Sequence, residues 1–183
     1  MFREALTQIL GRLERAKQRG LVRAYALIGG LAVSAWGVPR ATQDLDFALA
    51  VSTDDTAELG RVIEGEYRSG APDDPLRGVL TTVLAVGDRT VPAQLIVLPS
   101  AWTDLISQDL QMLSIFGTTV PVVSWQTLIL LKLYAGGPQD LLDAREVWQV
   151  RGDKSLHFEA LAALAAKVSL SEEIAAFRGR IGR

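Results

Sequence analysis

Residues 25–47 read YALIGGLAVSAWGVPRATQDLDF, and this stretch decides the fold of the chain. An apolar run at residues 25–28 ends in Gly29 and Gly30, and helix-forming residues follow at 31–36. Two glycines between a strand and a helix let the backbone approach a ligand closely, because neither has a Cβ atom. Free N–H groups at a helix start attract anions. The pattern therefore predicts a phosphate-binding turn at the start of the helix, although a plain tight turn also explains the glycines.

A pair of carboxylates follows in the next predicted strand. Asp44 and Asp46 alternate with Leu45 and Phe47, so both carboxylates share one face of the strand. Neighbouring carboxylates repel each other, and a divalent cation relieves that repulsion. Mg²⁺ accepts one or two carboxylates together with substrate phosphates as ligands. The alternation predicts a site for Mg²⁺ or Mn²⁺, and the alternative is a pair of acids on a solvated strand edge.

The glycine pair followed by the acid pair resembles the signature of the nucleotidyltransferase superfamily, the fold of DNA polymerase beta and of the kanamycin and lincosamide nucleotidyltransferases. Residues 36–40, WGVPR, together with Thr42, extend the resemblance to the AbiEii-type group, which includes toxins of bacterial toxin–antitoxin systems. It implies an α/β (α+β) fold, with a mixed β-sheet flanked by helices and further helices at the C-terminus. It also implies transfer of a nucleoside monophosphate from a nucleoside triphosphate to an acceptor hydroxyl.

The same resemblance assigns roles to individual residues. Asp44 and Asp46 would be the catalytic residues and hold the metal. The implied nucleotide-binding residues lie in the glycine turn, in the loop before the acidic strand and in a later helix: Gly29, Gly30, Arg40, Thr42 and Lys132. For Arg40, an ion pair with Asp44 or Asp46 is an equally good expectation, because a guanidinium suits carboxylate as well as phosphate oxygens.

Residues 125–134, WQTLILLKLY, are apolar nearly all round, which is typical of a buried helix. Its one charge, Lys132, precedes Asp140 and Asp143, which fall in the first turn of the next predicted helix. The resemblance implies that Lys132 reaches nucleotide phosphate, and a structural ion pair with either aspartate explains it equally well. The aspartates are secondary candidates, because negative charge is stabilised at a helix start whatever the function.

The third acid of the site is in question. The superfamily commonly places a carboxylate on the strand beside the acidic strand, and the matching run is residues 91–97, VPAQLIV, whose polar position is Gln94. A neutral amide binds a cation weakly. Either the chain works with two carboxylates, or it is a nucleotide-binding or partner-binding member that has lost catalysis. A register in which Asp88 serves is a further alternative, although Asp88 falls in a predicted turn.

Composition sets a few limits. The 183 residues include no cysteine, which excludes disulfides and thiolate metal sites. No apolar run reaches the roughly 18 residues that span a bilayer. The net charge of −2 argues against a broad nucleic-acid-binding surface. We expect a cytoplasmic protein without membrane association.

The expected organisation is a nucleotidyltransferase core at residues 1–123 and a C-terminal helical portion at 124–183, packed together as one compact unit. Periodicity also predicts helices at 2–18 and 57–67. If the chain acts like its toxin relatives, the acceptor is an RNA 3′ end such as that of tRNA, and a small antitoxin is the partner. A small-molecule acceptor such as an antibiotic is the alternative.

Overall fold

A computed structural model describes residues 1–71, 76–152 and 155–181 of the chain. The turn-forming residue types in SGAPDDPL at 69–76 and RGDK at 151–154 predict a turn-rich loop and a turn, and both segments lie partly outside the described ranges.

The described residues form helices and strands that alternate over residues 2–63 and then follow in groups, with three strands, a short helix, two strands and four helices. The helices are α1 Phe2–Gln18, α2 Gly29–Ala35, α3 Thr56–Ile63, α4 Leu105–Gln108, α5 Trp125–Ala135, α6 Pro138–Arg151, α7 Ser155–Lys167 and α8 Ser171–Ile181. The strands are β1 Val22–Leu27, β2 Leu45–Val51, β3 Glu66–Ser69, β4 Gly78–Val86, β5 Arg89–Val97, β6 Leu110–Ile115 and β7 Thr118–Val123. This arrangement confirms the predicted mixed α/β fold.

The strands form one mixed sheet in the order β3-β4-β5-β2-β1-β7-β6. The acidic strand β2 lies at its centre, antiparallel to β1 and parallel to β5. The hairpin of β6 and β7 joins the same sheet, because β7 runs parallel to β1. The central place of β2 puts Asp46 between neighbouring strands rather than on a solvated sheet edge, whereas Asp44, predicted in the same strand, lies just before its first residue.

Alternation along β2 separates the core from the site. Leu45, Phe47 and Leu49 are fully buried on one face, as the spacing predicts. Helix α1 packs against the sheet and buries Leu6 and Ile9 among other apolar residues. This apolar packing fixes the position of β2 in the sheet, and therefore also the position of the residues on its opposite face.

Two local predictions need correction. The helix predicted at 57–67 ends at Ile63, because Glu64 adopts a left-handed conformation (φ 57°) that terminates α3. The chain then enters the short strand β3, which pairs with β4. The glycine pair also differs from expectation, since Gly29 and Gly30 are the first residues of α2 rather than a separate turn before it.

The helices after β7 pack on one another. Helix α5 contacts α2, α6, α7 and α8. Its lack of a polar face agrees with this burial, and Ser124 caps its start by accepting a hydrogen bond from the Thr127 N–H. No helix in the described part of the chain is long and apolar enough to cross a membrane.

Candidate functional site

The glycine pair makes room for an acidic side chain. Gly29 has φ +67°, and a Cβ atom at this position would overlap the carboxylate of Asp46. The Ile28 N–H donates a hydrogen bond to the Asp46 carbonyl oxygen at 2.9 Å, which ties β1 to β2 at this point. Gly30 faces Thr42, whose Cβ would lie 3.2 Å from an added Cβ. The glycines therefore let the start of α2 lie directly against Asp46 and Thr42.

Asp44 and Asp46 line the same cavity at the start of β2. Asp44 immediately precedes the strand, and its Oδ1 accepts a hydrogen bond from Thr42 Oγ1 at 2.7 Å. Burial, the neighbouring charge of Asp44 and the more distant charge of Asp140 raise the pKa of Asp46 from 3.8 to about 6, against the opposing effect of Lys132. The negative charge of ionised Asp46 is therefore not fully balanced by the positive charge of Lys132.

A buried ion cluster lies beside the acid pair. Lys132 Nζ is 2.8 Å from Asp140 Oδ1 and 2.8 Å from Asp143 Oδ2. Asp143 is fully buried, and its Oδ1 also accepts a hydrogen bond from Gln139 Nε2 at 2.8 Å. Burial by itself lowers the pKa of Lys132, but the hydrogen bonds and charges of the two aspartates outweigh it and raise that pKa. Lys132 is therefore held as a cation at the site.

Arg40 joins the cluster from the loop before β2. Its Nε lies 3.3 Å from Asp143 Oδ1, an electrostatic contact in which the buried Nε makes no hydrogen bond. The expected ion pair of Arg40 with Asp44 or Asp46 is replaced by this pair with Asp143. The structural ion pair expected for Lys132 is present with both of its candidate partners. Sequence reasoning did not single out Gln139, and nothing in its pattern marks a polar residue that would orient Asp143.

Gln94 lies on the strand beside the acidic strand, as the pattern of residues 91–97 predicts. It pairs in register with Asp46 across the parallel strands β5 and β2, and its side chain is exposed. Asp88 lies in the turn between β4 and β5, as predicted. The strand position next to Asp46 thus carries an amide and not a carboxylate.

Two adjoining cavities, each of about 400 Å³, meet at Gly29, Asp46 and Lys132. The first cavity, the polar cavity, is otherwise lined by the loop before β2 and the start of α2: Gly30, Arg40, Ala41, Thr42, Gln43 and Asp44. The second, the apolar cavity, runs between α5 and the sheet, and its further lining is mainly aliphatic: Ile28, Leu76, Ile96, Leu98, Leu128, Leu131, Tyr134, Ala135 and Asp140. Ile96 follows Gln94 by two residues on β5, so both side chains lie on the same face of the strand. This spacing could have identified Ile96 from the sequence as a residue near the site.

The donor set suits a hard divalent cation only in part. Within the described ranges, no three His, Cys, Asp or Glu side chains form a group that could hold a metal ion. Asp44 and Asp46 supply two carboxylates, which is the number that Mg²⁺ uses when phosphate oxygens and water complete its octahedron. The raised pKa of Asp46 marks negative charge that a cation would compensate. The two acids therefore fit Mg²⁺ or Mn²⁺ shared with a phosphate ligand.

Comparison with known proteins rests on structure. No protein-family model matches the chain, and no curated protein matches it by sequence. An antigenic nucleotidyltransferase-like protein from Paracoccidioides brasiliensis is similar in structure, with a TM-score of 0.52 at 19% identity, over 94% of this chain and 93% of that one. This chain therefore has the nucleotidyltransferase fold.

Two further solved structures are more distant. ANT(2″)-Ia, solved in complex with adenylyl-2″-tobramycin, matches with a TM-score of 0.44 at 18% identity, over 96% of this chain and 95% of that one. A Thermotoga maritima protein described as a nucleotidyltransferase matches with a TM-score of 0.49 at 16% identity, over 82% of this chain and 94% of that one.

Proposed function

We propose that the chain is a metal-dependent nucleotidyltransferase that moves a nucleoside monophosphate from a nucleoside triphosphate to an acceptor hydroxyl. One observation carries the proposal: Asp44 and Asp46 converge on a cavity that also contains Lys132 and Arg40, and Asp46 has a pKa raised to about 6. Perturbed carboxylates in a cleft are typical of functional sites. The nucleotidyltransferase fold, found independently of these residues, agrees with the proposal.

The charges of the cluster support a site for a metal–triphosphate complex. Arg40 and Lys132 supply two positive charges, and Asp44, Asp46, Asp140 and Asp143 supply four negative ones when ionised. A free triphosphate would meet this excess of negative charge and bind poorly. A bound Mg²⁺ or Mn²⁺ would neutralise the excess and stabilise charge that develops on the phosphates.

The chain's own residues would orient the substrate. Thr42 fixes the Asp44 carboxylate through its hydrogen bond, and Gly29 leaves space for the carboxylate of Asp46. Asp143 holds Lys132 and Arg40 side by side, so that both cations would lie along the phosphates. In the reaction, the acceptor oxygen would bond to the α-phosphorus, the bond to the β-phosphate oxygen would break, and pyrophosphate would leave while the hydroxyl proton passes to solvent.

The first acceptor to test is an RNA 3′ end such as that of tRNA, with a small antitoxin as a partner in the cytoplasm. Both expectations come from the AbiEii-type resemblance of residues 36–40 and Thr42. Small-molecule hydroxyl compounds form the second group of acceptors.

A second candidate function is nucleotide or partner binding without catalysis. The observation that favours it is Gln94, which occupies the strand position in register with Asp46. In this case a nucleoside triphosphate with Mg²⁺ would raise the melting temperature of the protein, and no nucleotide would be transferred.

The test is transfer of α-labelled nucleoside triphosphates to total tRNA and to a panel of small hydroxyl compounds, with Mg²⁺ or Mn²⁺. The negative control is Asp44→Asn/Asp46→Asn, which keeps the side-chain shapes and removes both charges. Label that appears only with the wild type supports the transferase. Absence of label on every acceptor, together with thermal stabilisation by nucleotide, favours the binding member.

The variant Gln94→Asp separates the two candidates further. It places a third carboxylate next to Asp46, and Gln94→Glu is the matched variant with a longer reach. If the missing acid limits catalysis, Gln94→Asp raises transfer above the wild-type rate. If the wild type already transfers label and Gln94→Asp does not accelerate it, two carboxylates suffice.

A further inference from the structure

We infer that Ser34 is a positioning residue for the proposed reaction, because its hydroxyl holds the loop that presents Arg40 to the phosphates. The inference rests on the proposed function and adds a residue to it. Ser34 lies in the last turn of α2, and its side chain is half-buried. In the described part of the chain, the lining of the polar cavity includes Arg40 and does not include Ser34. Ser34 therefore acts on the site through the residue that it holds.

One hydroxyl group fixes both polar groups of the Arg40 backbone. Ser34 Oγ accepts a hydrogen bond from the Arg40 N–H at 3.1 Å and donates one to the Arg40 carbonyl oxygen at 3.0 Å. A hydroxyl can make both bonds at once, because it carries one donor and two acceptor lone pairs. An alanine at this position can make neither bond. The two bonds therefore fix the backbone of Arg40 relative to α2.

The loop that carries Arg40 has little regular structure to hold it. In the described structure, residues 38–42 belong to no helix or strand. They lack the repeated backbone hydrogen bonds that fix the residues of α2 and β2 on either side. A backbone that is free to move must be ordered when a ligand binds, and this ordering lowers the affinity. The bonds from Ser34 supply the order before the ligand arrives.

The arginine side chain extends from this fixed point into the site. It passes the start of α2, where a Cβ atom on Gly30 would lie 3.4 Å from Arg40 Cγ. Its Nε then lies 3.3 Å from Asp143 Oδ1. An arginine side chain has several rotatable bonds, so the place of its guanidinium group depends on where its backbone is held. Ser34 at one end and Asp143 at the other thus set the direction of this cation.

The acid pair is held by other contacts. Asp44 Oδ1 accepts its hydrogen bond from Thr42 Oγ1 at 2.7 Å, and Asp46 belongs to the central strand β2. Loss of the Ser34 hydroxyl should therefore displace Arg40 and leave the two carboxylates in place. The expected result is weaker binding of the phosphates at a site whose acids are unchanged.

Calorimetric binding of α,β-methylene-ATP with Mg²⁺ to the full chain tests the inference, because this analogue cannot be cleaved at the α-phosphate. Arg40→Met removes the charge and keeps a long unbranched side chain. It should weaken binding by roughly 10- to 100-fold, the factor that a hydrogen bond between charged groups contributes. Ser34→Ala should weaken binding by roughly fivefold or more, and by no more than Arg40→Met does.

The double variant Ser34→Ala/Arg40→Met separates positioning from a general structural role. If Ser34 acts through Arg40, the double variant should bind like Arg40→Met alone, because no guanidinium group is left to position. Ser34→Thr keeps the hydroxyl and should retain most of the wild-type affinity. The matched control is Ser107→Ala, which removes another helical hydroxyl that donates to a backbone carbonyl oxygen, that of Asp104. It should bind like the wild type.

Each outcome bears on a different part of the reasoning. Wild-type affinity in Ser34→Ala, or losses that add in the double variant, would overturn the positioning role. Binding by Ser34→Thr as weak as that of Ser34→Ala would overturn the part given to the hydroxyl. Wild-type affinity in Arg40→Met would remove Arg40 from the phosphates and this inference with it, while the acid pair keeps its assignment. If the wild type does not bind the analogue with Mg²⁺, the proposed function itself fails.

Discussion

Replacing Asp46 by Asn should make the protein more stable at neutral pH. The carboxyl group has an ordinary pKa of 3.8 in the unfolded chain and about 6 in the folded protein, mainly because it is buried and lies close to Asp44. The folded state therefore holds the proton more tightly, and the ionised form destabilises the fold. Asn has nearly the same shape and carries no charge, so the substitution removes this cost.

The magnitude follows from proton linkage. Each tenfold change in proton affinity corresponds to about 1.4 kcal/mol, so the difference between 3.8 and about 6 amounts to roughly 3 kcal/mol at pH 7.5. The sign is that of a raised carboxyl pKa: the cost is absent below pH 3.8, grows between pH 3.8 and about 6, and is complete above that range. Partial solvent access reduces the effect, and we expect a gain of about 1–3 kcal/mol for Asp46→Asn.

The assay is urea unfolding of wild type and Asp46→Asn at pH 4.5 and pH 7.5, without divalent cations. The difference in free energy of unfolding should be larger at pH 7.5 than at pH 4.5. The matched control is Asp88→Asn, at an exposed turn position that accepts Asn, and it should change the stability little at either pH. A variant Asp46→Asn that is less stable than the wild type at pH 7.5, or whose effect does not depend on pH, would refute the reasoning.

Two further predictions concern the supports of the site. Gly29→Ala should abolish Mg²⁺-dependent nucleotide binding in calorimetry, because the new Cβ overlaps the Asp46 carboxylate. The matched control is Gly20→Ala, which has a similar φ of +72° and open space around it and should therefore lower only the stability. Equal nucleotide affinity in the two variants would contradict this prediction. Asp143→Ala should lower the free energy of unfolding by about 3–5 kcal/mol, because it removes the carboxylate beside the buried Arg40 Nε and leaves Lys132 paired with Asp140 alone, and Asp140→Ala should cost less because Asp140 is partly exposed. Urea titrations that rank the two aspartates the other way would show that the buried pair is not the main support.

Local sequence signals predicted the centre of the fold well. The alternation around Asp46 identified β2 and its buried face, because period-two burial is a strong signal in a central strand. Apolar residues at helical spacing gave the bounds of α1 without error. These features depend on residues close together in the chain.

Other features depend on contacts between distant segments. The helix predicted at 57–67 overlaps the first two residues of β3, Glu66 and Tyr67, because the four residues of this strand have no apolar pattern and form a strand only by pairing with β4. The contact of Arg40 with Asp143 joins a loop to a helix about one hundred residues away, and no spacing rule reports it. The apolar cavity was also invisible, because its aliphatic walls read as ordinary core residues until the gap between α5 and the sheet is known.

The most direct test of the central claim compares transfer activity with stability in the same preparation of protein. Wild type and Asp46→Asn are incubated with an α-labelled nucleoside triphosphate, Mg²⁺ and tRNA, and their free energies of unfolding are measured in parallel. The account predicts that the wild type transfers label, and that Asp46→Asn transfers none although it is the more stable protein at pH 7.5. Transfer by Asp46→Asn at a rate close to that of the wild type would contradict the assignment of this carboxylate to the reaction.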